Sequence, residues 1–160
     1  MKLKRLILGL LAIVVLSGFI GCTDKDTQGT RKVRPNKNKY VDIYDVVKEV
    51  FTTDKGYTDD IAKHMTKEVF DRTNAYKSFP VHKPEYIRPF RIEFSLKQVA
   101  QHKENDKIIV DMKYSIKMID SANKVVGACG GDSEDIPIRF TVEKRNNDWV
   151  VVEKEEDPFY

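Results

Sequence analysis

An alternating run at residues 108–118 constrains the fold most strongly. Apolar side chains occupy every even position from Ile108 to Met118, and most of the odd positions are polar. A period of two is typical of a β-strand that buries one face. The length of the run predicts the central strand of a sheet whose even-numbered side chains turn toward the core. Asp111 then lies on the opposite face and points away from the core.

Three other runs share this period and predict further strands of an antiparallel sheet of about four strands. In the first of them the phase slips at Val99, which predicts a β-bulge near Lys97 and Gln98. All inward positions of the predicted strands are apolar, so the pattern nominates no catalytic acid or base. The three runs are residues 90–96, 136–142 and 149–154, and the predicted turns are Asn105-Asp106 and Asn146-Asn147-Asp148.

Residues 40–73 have the spacing and the capping residues of helices. Apolar side chains recur on one face of residues 40–51, which predicts an amphipathic helix. Thr58 and Thr66 are the predicted N-caps of two more helices. Residues 74–89 contain two prolines and end at a third, and they are predicted to run over one end of the sheet, either as a looser stretch or with a short edge strand. Helices followed by antiparallel strands predict one α+β domain at residues 40–160, with helices on one face of a curved sheet.

This order of elements resembles the cone-shaped nuclear transport factor two-like superfamily over about residues 40–156. The resemblance is closest from Asp135 to Lys144, through the Asn-rich turn, to Trp149-Val150-Val151. It implies a pocket between the sheet and the helices. Some members of the superfamily use a carboxylate there as a base, and many others only bind or assemble.

Aromatic side chains are the candidates for lining such a pocket. At these spacings they also suit an ordinary hydrophobic core, and the sequence leaves both interpretations open. The candidates are Tyr44, Phe94, Tyr114, Phe140 and Trp149.

The first 22 residues have the anatomy of an export signal. Residues 1–5 carry Lys2, Lys4 and Arg5 without an acid, and residues 6–16 are apolar except for Gly9. The apolar run is shorter than the roughly 20 residues of a membrane span. It ends in Phe19-Ile20-Gly21-Cys22, which resembles the lipobox of bacterial lipoproteins. The resemblance implies cleavage before Cys22 and a diacylglyceryl group on its sulfur; the alternative is an uncleaved anchor helix.

Removal of residues 1–21 changes the charge balance. This predicted signal peptide contains three of the 28 Lys and Arg residues and none of the 25 Asp and Glu residues, so the remaining chain is neutral. The overall excess of positive charge therefore gives no support to a nucleic-acid partner. Residues 22–39 comprise the lipidated cysteine and a polar segment with one aliphatic residue, Val33, and are predicted to form a disordered, basic tether.

Cys129 has no intramolecular partner if Cys22 carries lipid, because the chain has two cysteines. It is placed in a long predicted loop at residues 120–135, either as a reactive thiol or as a small residue among glycines. His64, His82 and His102 lie on different elements without metal-ligand spacing, so the sequence predicts no metal site and no cofactor.

These expectations combine into three hypotheses. The first is a lipoprotein of the cell membrane that faces outside the cytoplasm and acts as a non-enzymatic binding or assembly module with another envelope protein. The second is a cone whose pocket binds a small ligand or catalyses a reaction. The third is a redox role for Cys129, as a reactive thiol or through an intermolecular disulfide.

Overall fold

A computed structural model describes residues 40–131 and 134–156, and the predicted signal peptide, Cys22 and the tether lie outside this range. The described part is α+β, with four short helices followed by a curved, open antiparallel sheet of five strands. The elements are α1 (Tyr44–Thr52), α2 (Asp59–His64), α3 (Lys67–Thr73), α4 (Ala75–Ser78), β1 (Arg91–Glu104), β2 (Lys107–Ile119), β3 (Val125–Cys129), β4 (Ile136–Arg145) and β5 (Asp148–Glu156).

The first helix begins later than its apolar spacing predicts. Helix α1 starts at Tyr44, because the preceding backbone is held by a side chain of β1. The amide nitrogens of Tyr40 and Val41 donate to Gln101 Oε1 over 2.9 and 3.2 Å, and Gln101 Nε2 donates to the Val41 carbonyl over 2.7 Å. This clamp holds residues 40 and 41 against β1, outside the helix.

The two predicted threonine caps are confirmed. Thr58 Oγ1 accepts a hydrogen bond from the amide of Ile61 over 3.3 Å, and Thr66 Oγ1 accepts one from Val69 over 3.5 Å. The irregular stretch expected at residues 74–89 is wrong at its start, where α4 forms. Asn74 precedes α4 and uses its buried amide to bond the carbonyls of Val50 and Thr53 at the end of α1, 2.8 Å each.

Strand β2 lies at the centre of the sheet, as its length predicts. It pairs with β1 along one edge and with both β4 and β3 along the other. Its even-numbered side chains are buried, while Asp111 lies on the other face and its Oδ1 accepts from Arg139 Nε over 2.8 Å. The bulge predicted in β1 is present at Val99, which has no partner between Gln98 and Ala100.

The single loop expected at residues 120–135 is wrong, because β3 forms in its middle. Strands β3 and β4 follow each other along one edge of β2: Cys129 pairs with Ile116, and Ile136 pairs with Tyr114. Because the chain leaves the sheet between them, β3 is only five residues long, and so short a segment shows no clear alternation of apolar and polar residues. Gly127 of β3 faces inward, opposite Met118, and a methyl group on it would lie 2.5 Å from the ring of Phe79.

We expect Gly127→Ala to destabilise the protein by about 1–3 kcal/mol, because the new methyl group forces Phe79 out of its packed position. Denaturant unfolding measures the change. Ala128→Ser is the matched control, since Ala128 is exposed on the other face and its replacement should stay within about 0.5 kcal/mol. Equal stability of Gly127→Ala and the wild type would show that Phe79 does not pack on this strand.

Candidate functional site

A cavity of about 120 Å³ lies between the helices and the inner face of the sheet. Phe51, Phe79 and Ile116 form apolar parts of its wall. Its polar wall brings together groups from distant parts of the chain. These are Arg72 of α3, Tyr114 of β2, Cys129 of β3, and Lys154 and Glu156 of β5.

A bulge turns two charged residues of β5 toward the helix side of the sheet. Thr141 pairs with Glu153 and Val142 pairs with Val151, so Val152 is an extra residue in the strand. Without it, Glu153 and Glu155 would share the inner face with Val151. With it, the inward residues are Lys154 and Glu156, paired with Phe140 and Ile138 of β4. The expectation that all inward positions are apolar is therefore wrong.

Lys154 carries a buried ammonium group. The residue is only 5% exposed, and its Nζ donates to the Arg72 carbonyl over 2.6 Å. The same nitrogen lies 2.7 Å from Glu156 Oε1 and 5.8 Å from the centre of the Phe51 ring. Arg72 returns the contact, because its Nη2 donates to the Lys154 carbonyl over 3.0 Å. Burial lowers the pKa of Lys154, although the hydrogen bond and charge of Glu156 partly oppose this shift.

Glu156 connects the lysine to Tyr114. The Tyr114 hydroxyl donates to Glu156 Oε1 over 2.9 Å, and burial followed by the charge of Glu156 strongly raises the pKa of this tyrosine. Burial alone would raise the pKa of the Glu156 carboxyl. The hydrogen bond and charge of Lys154, together with the Tyr114 hydroxyl, outweigh burial and hold that pKa below its ordinary value. Glu156 is thus an anion and Tyr114 a neutral donor near pH 7.

Cys129 lies at the end of β3, on the same face as Ile116. Partial burial and then the charge of Glu156 raise the pKa of its thiol, while Lys154 acts in the opposite direction. The neutral thiol is therefore favoured at pH 7, and thiolates rather than thiols are the nucleophilic form. Cys129 remains a candidate reactive residue, placed at the cavity instead of at a loop tip.

The structure separates the five predicted lining residues. Tyr114 lines the cavity with Cys129, and Phe94 lies one layer further away, with its ring centre 4.9 Å from that of Phe51. Phe140 is fully buried in the core and Tyr44 is exposed. Trp149 lines a different groove with Tyr40 and His64.

The residues that sequence reasoning missed are Arg72, Lys154 and Glu156. The charged residues that follow the valines of β5 are a weak indication of a polar site. Simple alternation, however, would assign Glu153 and Glu155 to the inner face instead of Lys154 and Glu156. In the described part of the chain no group of three His, Cys, Asp or Glu side chains could hold a metal ion.

A larger groove of about 520 Å³ lies between α2 and the β4–β5 turn. Its three cations are already paired with surface carboxylates: Lys63 with Asp60 at 2.7 Å, Lys67 with Asp71 at 2.5 Å, and Arg145 with Glu143 at 3.2 Å. Exposed pairs of this kind contribute little and hold no desolvated charge. The smaller cavity, with its buried ammonium, is therefore the better candidate site.

No protein-family model matches the chain, and no curated protein is significantly similar to it.

We expect Tyr114→Phe to lower the free energy of unfolding at neutral pH. The decrease should lie at the lower end of about 0.5–1.5 kcal/mol, because Glu156 is half exposed. The hydroxyl of Tyr114 stabilises the Glu156 carboxylate. Its contribution to the free energy of unfolding is therefore fully present above the ordinary pKa of Glu156, and it disappears as the pH falls through the lowered pKa of Glu156 in the folded protein. Unfolding measured at neutral and at acidic pH tests both parts.

Tyr57→Phe is the control for this pair of measurements. The Tyr57 hydroxyl donates to the Met65 carbonyl over 2.7 Å, and a carbonyl does not titrate. Its loss should therefore cost a similar amount at both pH values. The same pH dependence in both variants would contradict the assigned contact between Tyr114 and Glu156.

Proposed function

We propose that this chain is an exported lipoprotein, held at the outer side of the cell membrane by lipid on Cys22, whose domain at residues 40–160 is a non-enzymatic binding module. The observation that carries the proposal is the complete signal anatomy that ends in Phe19-Ile20-Gly21-Cys22 ahead of a folded domain. Two acyl chains on one cysteine suffice for stable anchoring, whereas one does not.

The cone-shaped fold of the nuclear transport factor two-like superfamily is part of this proposal. Helices followed by a curved antiparallel sheet agree with it, and bulges at Val99 and Val152 are the features that bend strands. The cavity lies on the helix side of the sheet, where the resemblance places a pocket.

The tether sets the distance between the domain and the membrane. Seventeen residues, 23–39, separate Cys22 from Tyr40, where the Gln101 clamp begins. A flexible chain of this length has an end-to-end distance of about 20–25 Å. Its second half carries five basic residues and no acid, so anionic lipid headgroups would attract it. The folded domain would therefore stay near the membrane surface.

No helix in the described part of the chain is long and apolar enough to cross a membrane. Because lipid on Cys22 is the proposed attachment, Cys22→Ala should abolish labelling by radioactive palmitate and leave the signal peptide uncleaved. Labelling and the size of the product are measured in intact cells. Cys129→Ala is the control and should label and mature normally. Unchanged labelling of the Cys22 variant would refute the proposal.

A partner protein of the envelope is proposed to dock on the free edge of β1. Within residues 40–131 and 134–156, no strand pairs with the second edge of this 14-residue strand. Val99, which lies at the bulge, is 53% exposed to solvent. Charged side chains on β1 deter indiscriminate strand pairing, so the edge suits a matched partner strand.

A photoreactive amino acid at position 99 should crosslink to an envelope protein in intact cells. The same probe at Lys144 is the control, because Lys144 is exposed but lies on β4, inside the sheet, where it pairs with Trp149 of β5. Crosslinked species are detected by a shift in gel mobility and identified by mass spectrometry. Equal products from both positions, or none from position 99, would refute docking at this edge.

A second candidate function is small-ligand binding in the cavity. The specific observation that favours it is the ammonium of Lys154, which is desolvated beside an open space. Buried ionisable groups with shifted pKa values concentrate at functional sites, and burial lowers the pKa of Lys154.

A further inference from the structure

We propose that the cavity binds a small organic monoanion, a carboxylate with a short alkyl chain, with the Lys154 ammonium as the anchoring donor. This inference deepens the second candidate function above and rests on it. Three properties of the cavity specify the ligand: an unused donor, the balance of charge in the wall, and the size and character of the remaining space.

The unused donor belongs to Lys154. An ammonium group has three N–H donors. One bonds the Arg72 carbonyl and the ion pair with Glu156 accounts for a second. No further acceptor for the third lies among residues 40–131 and 134–156. Because the residue is only 5% exposed and lines the cavity, an acceptor inside the cavity would satisfy this donor where bulk water hardly reaches.

The charges of the wall favour an anion. Lys154 and Arg72 contribute two positive charges, and Glu156 contributes one negative charge. Tyr114 and Cys129 are neutral near pH 7, because burial raises the pKa of each. The remaining charge of plus one matches a monoanion. A dianion would leave one negative charge without a partner beside the buried Lys154, which is unfavourable.

The remaining space selects a short apolar tail. About 120 Å³ corresponds to roughly four water molecules at about 30 Å³ each, so an occupant has about four to six non-hydrogen atoms. Phe51, Phe79 and Ile116 provide surfaces that gain by contact with methylene groups. Propionate and butyrate meet the three requirements, whereas inorganic phosphate lacks the tail.

Calorimetric titration of the full-length protein in detergent tests the proposal with butyrate as the probe. Butyrate should bind with an affinity typical of such small ligands and should slow the alkylation of Cys129, which lines the same cavity. Butyramide, of nearly the same shape but uncharged, should bind at least tenfold more weakly.

Two variants identify the groups that bind. Lys154→Met should abolish butyrate binding. Glu156→Gln removes the competing carboxylate and should strengthen binding several-fold, a gain that a misfolded protein would not show. Lys144→Met is the control and should bind as the wild type does, because Lys144 is exposed at the far end of β4. Circular dichroism verifies that each variant folds.

The outcomes separate the ligand class from the binding function itself. Equal binding of butyramide and butyrate, or unchanged affinity in Glu156→Gln, would overturn the monoanion and keep a ligand cavity. Failure of all these probes to bind or to protect Cys129 would overturn both. Equal binding of chloride, phosphate and butyrate would show an adventitious ion only, and would also overturn the proposal.

Discussion

The pairing of β2 along both of its edges positions the rest of the domain. One edge holds β1 over nearly its whole length, and the other holds β4 and then β3. The inward side chains of β2 provide a continuous apolar surface on which the helices pack, and they lose almost all exposure. Because Tyr114 and Ile116 belong to this surface, the floor of the cavity is fixed by the most constrained strand of the sheet.

The break between β3 and β4 occurs beside that floor. Gly130 has a φ of +65°, and a methyl group on it would lie 2.9 Å from the Tyr114 carbonyl. Only glycine combines this left-handed conformation with so close an approach at little cost. The chain can therefore leave the edge of β2 at this point and return to it at Ile136. Cys129, the last residue before the break, is consequently held at the cavity by the pairing of β3.

The sequence predicts the features that depend on local chemistry or on a long uninterrupted pattern. These include the strand at 108–118, the caps at Thr58 and Thr66, and the bulge at Val99, where the apolar phase visibly slips. It fails where tertiary contacts decide. Strand β3 is too short and too rich in small residues to alternate clearly, and α4 has a single turn. The bulge at Val152 is hidden because neighbouring positions are also valine, so either phase places an apolar residue inside. That one ambiguity conceals Lys154 and Glu156, and with them the candidate site.

The burial of Lys154 is difficult to explain as a contribution to stability. Removing an ammonium from water costs several kcal/mol, and an ion pair with a half-exposed carboxylate returns only part of this. Apolar residues of similar volume in place of such a pair are often neutral or stabilising. In the described part of the chain Cys129 is a free cysteine and forms no disulfide bond. The stability of this part of the domain therefore depends on its apolar core. A buried charge that adds little to stability is more readily explained by a ligand that it binds, and this favours the cavity over the wider surface grooves.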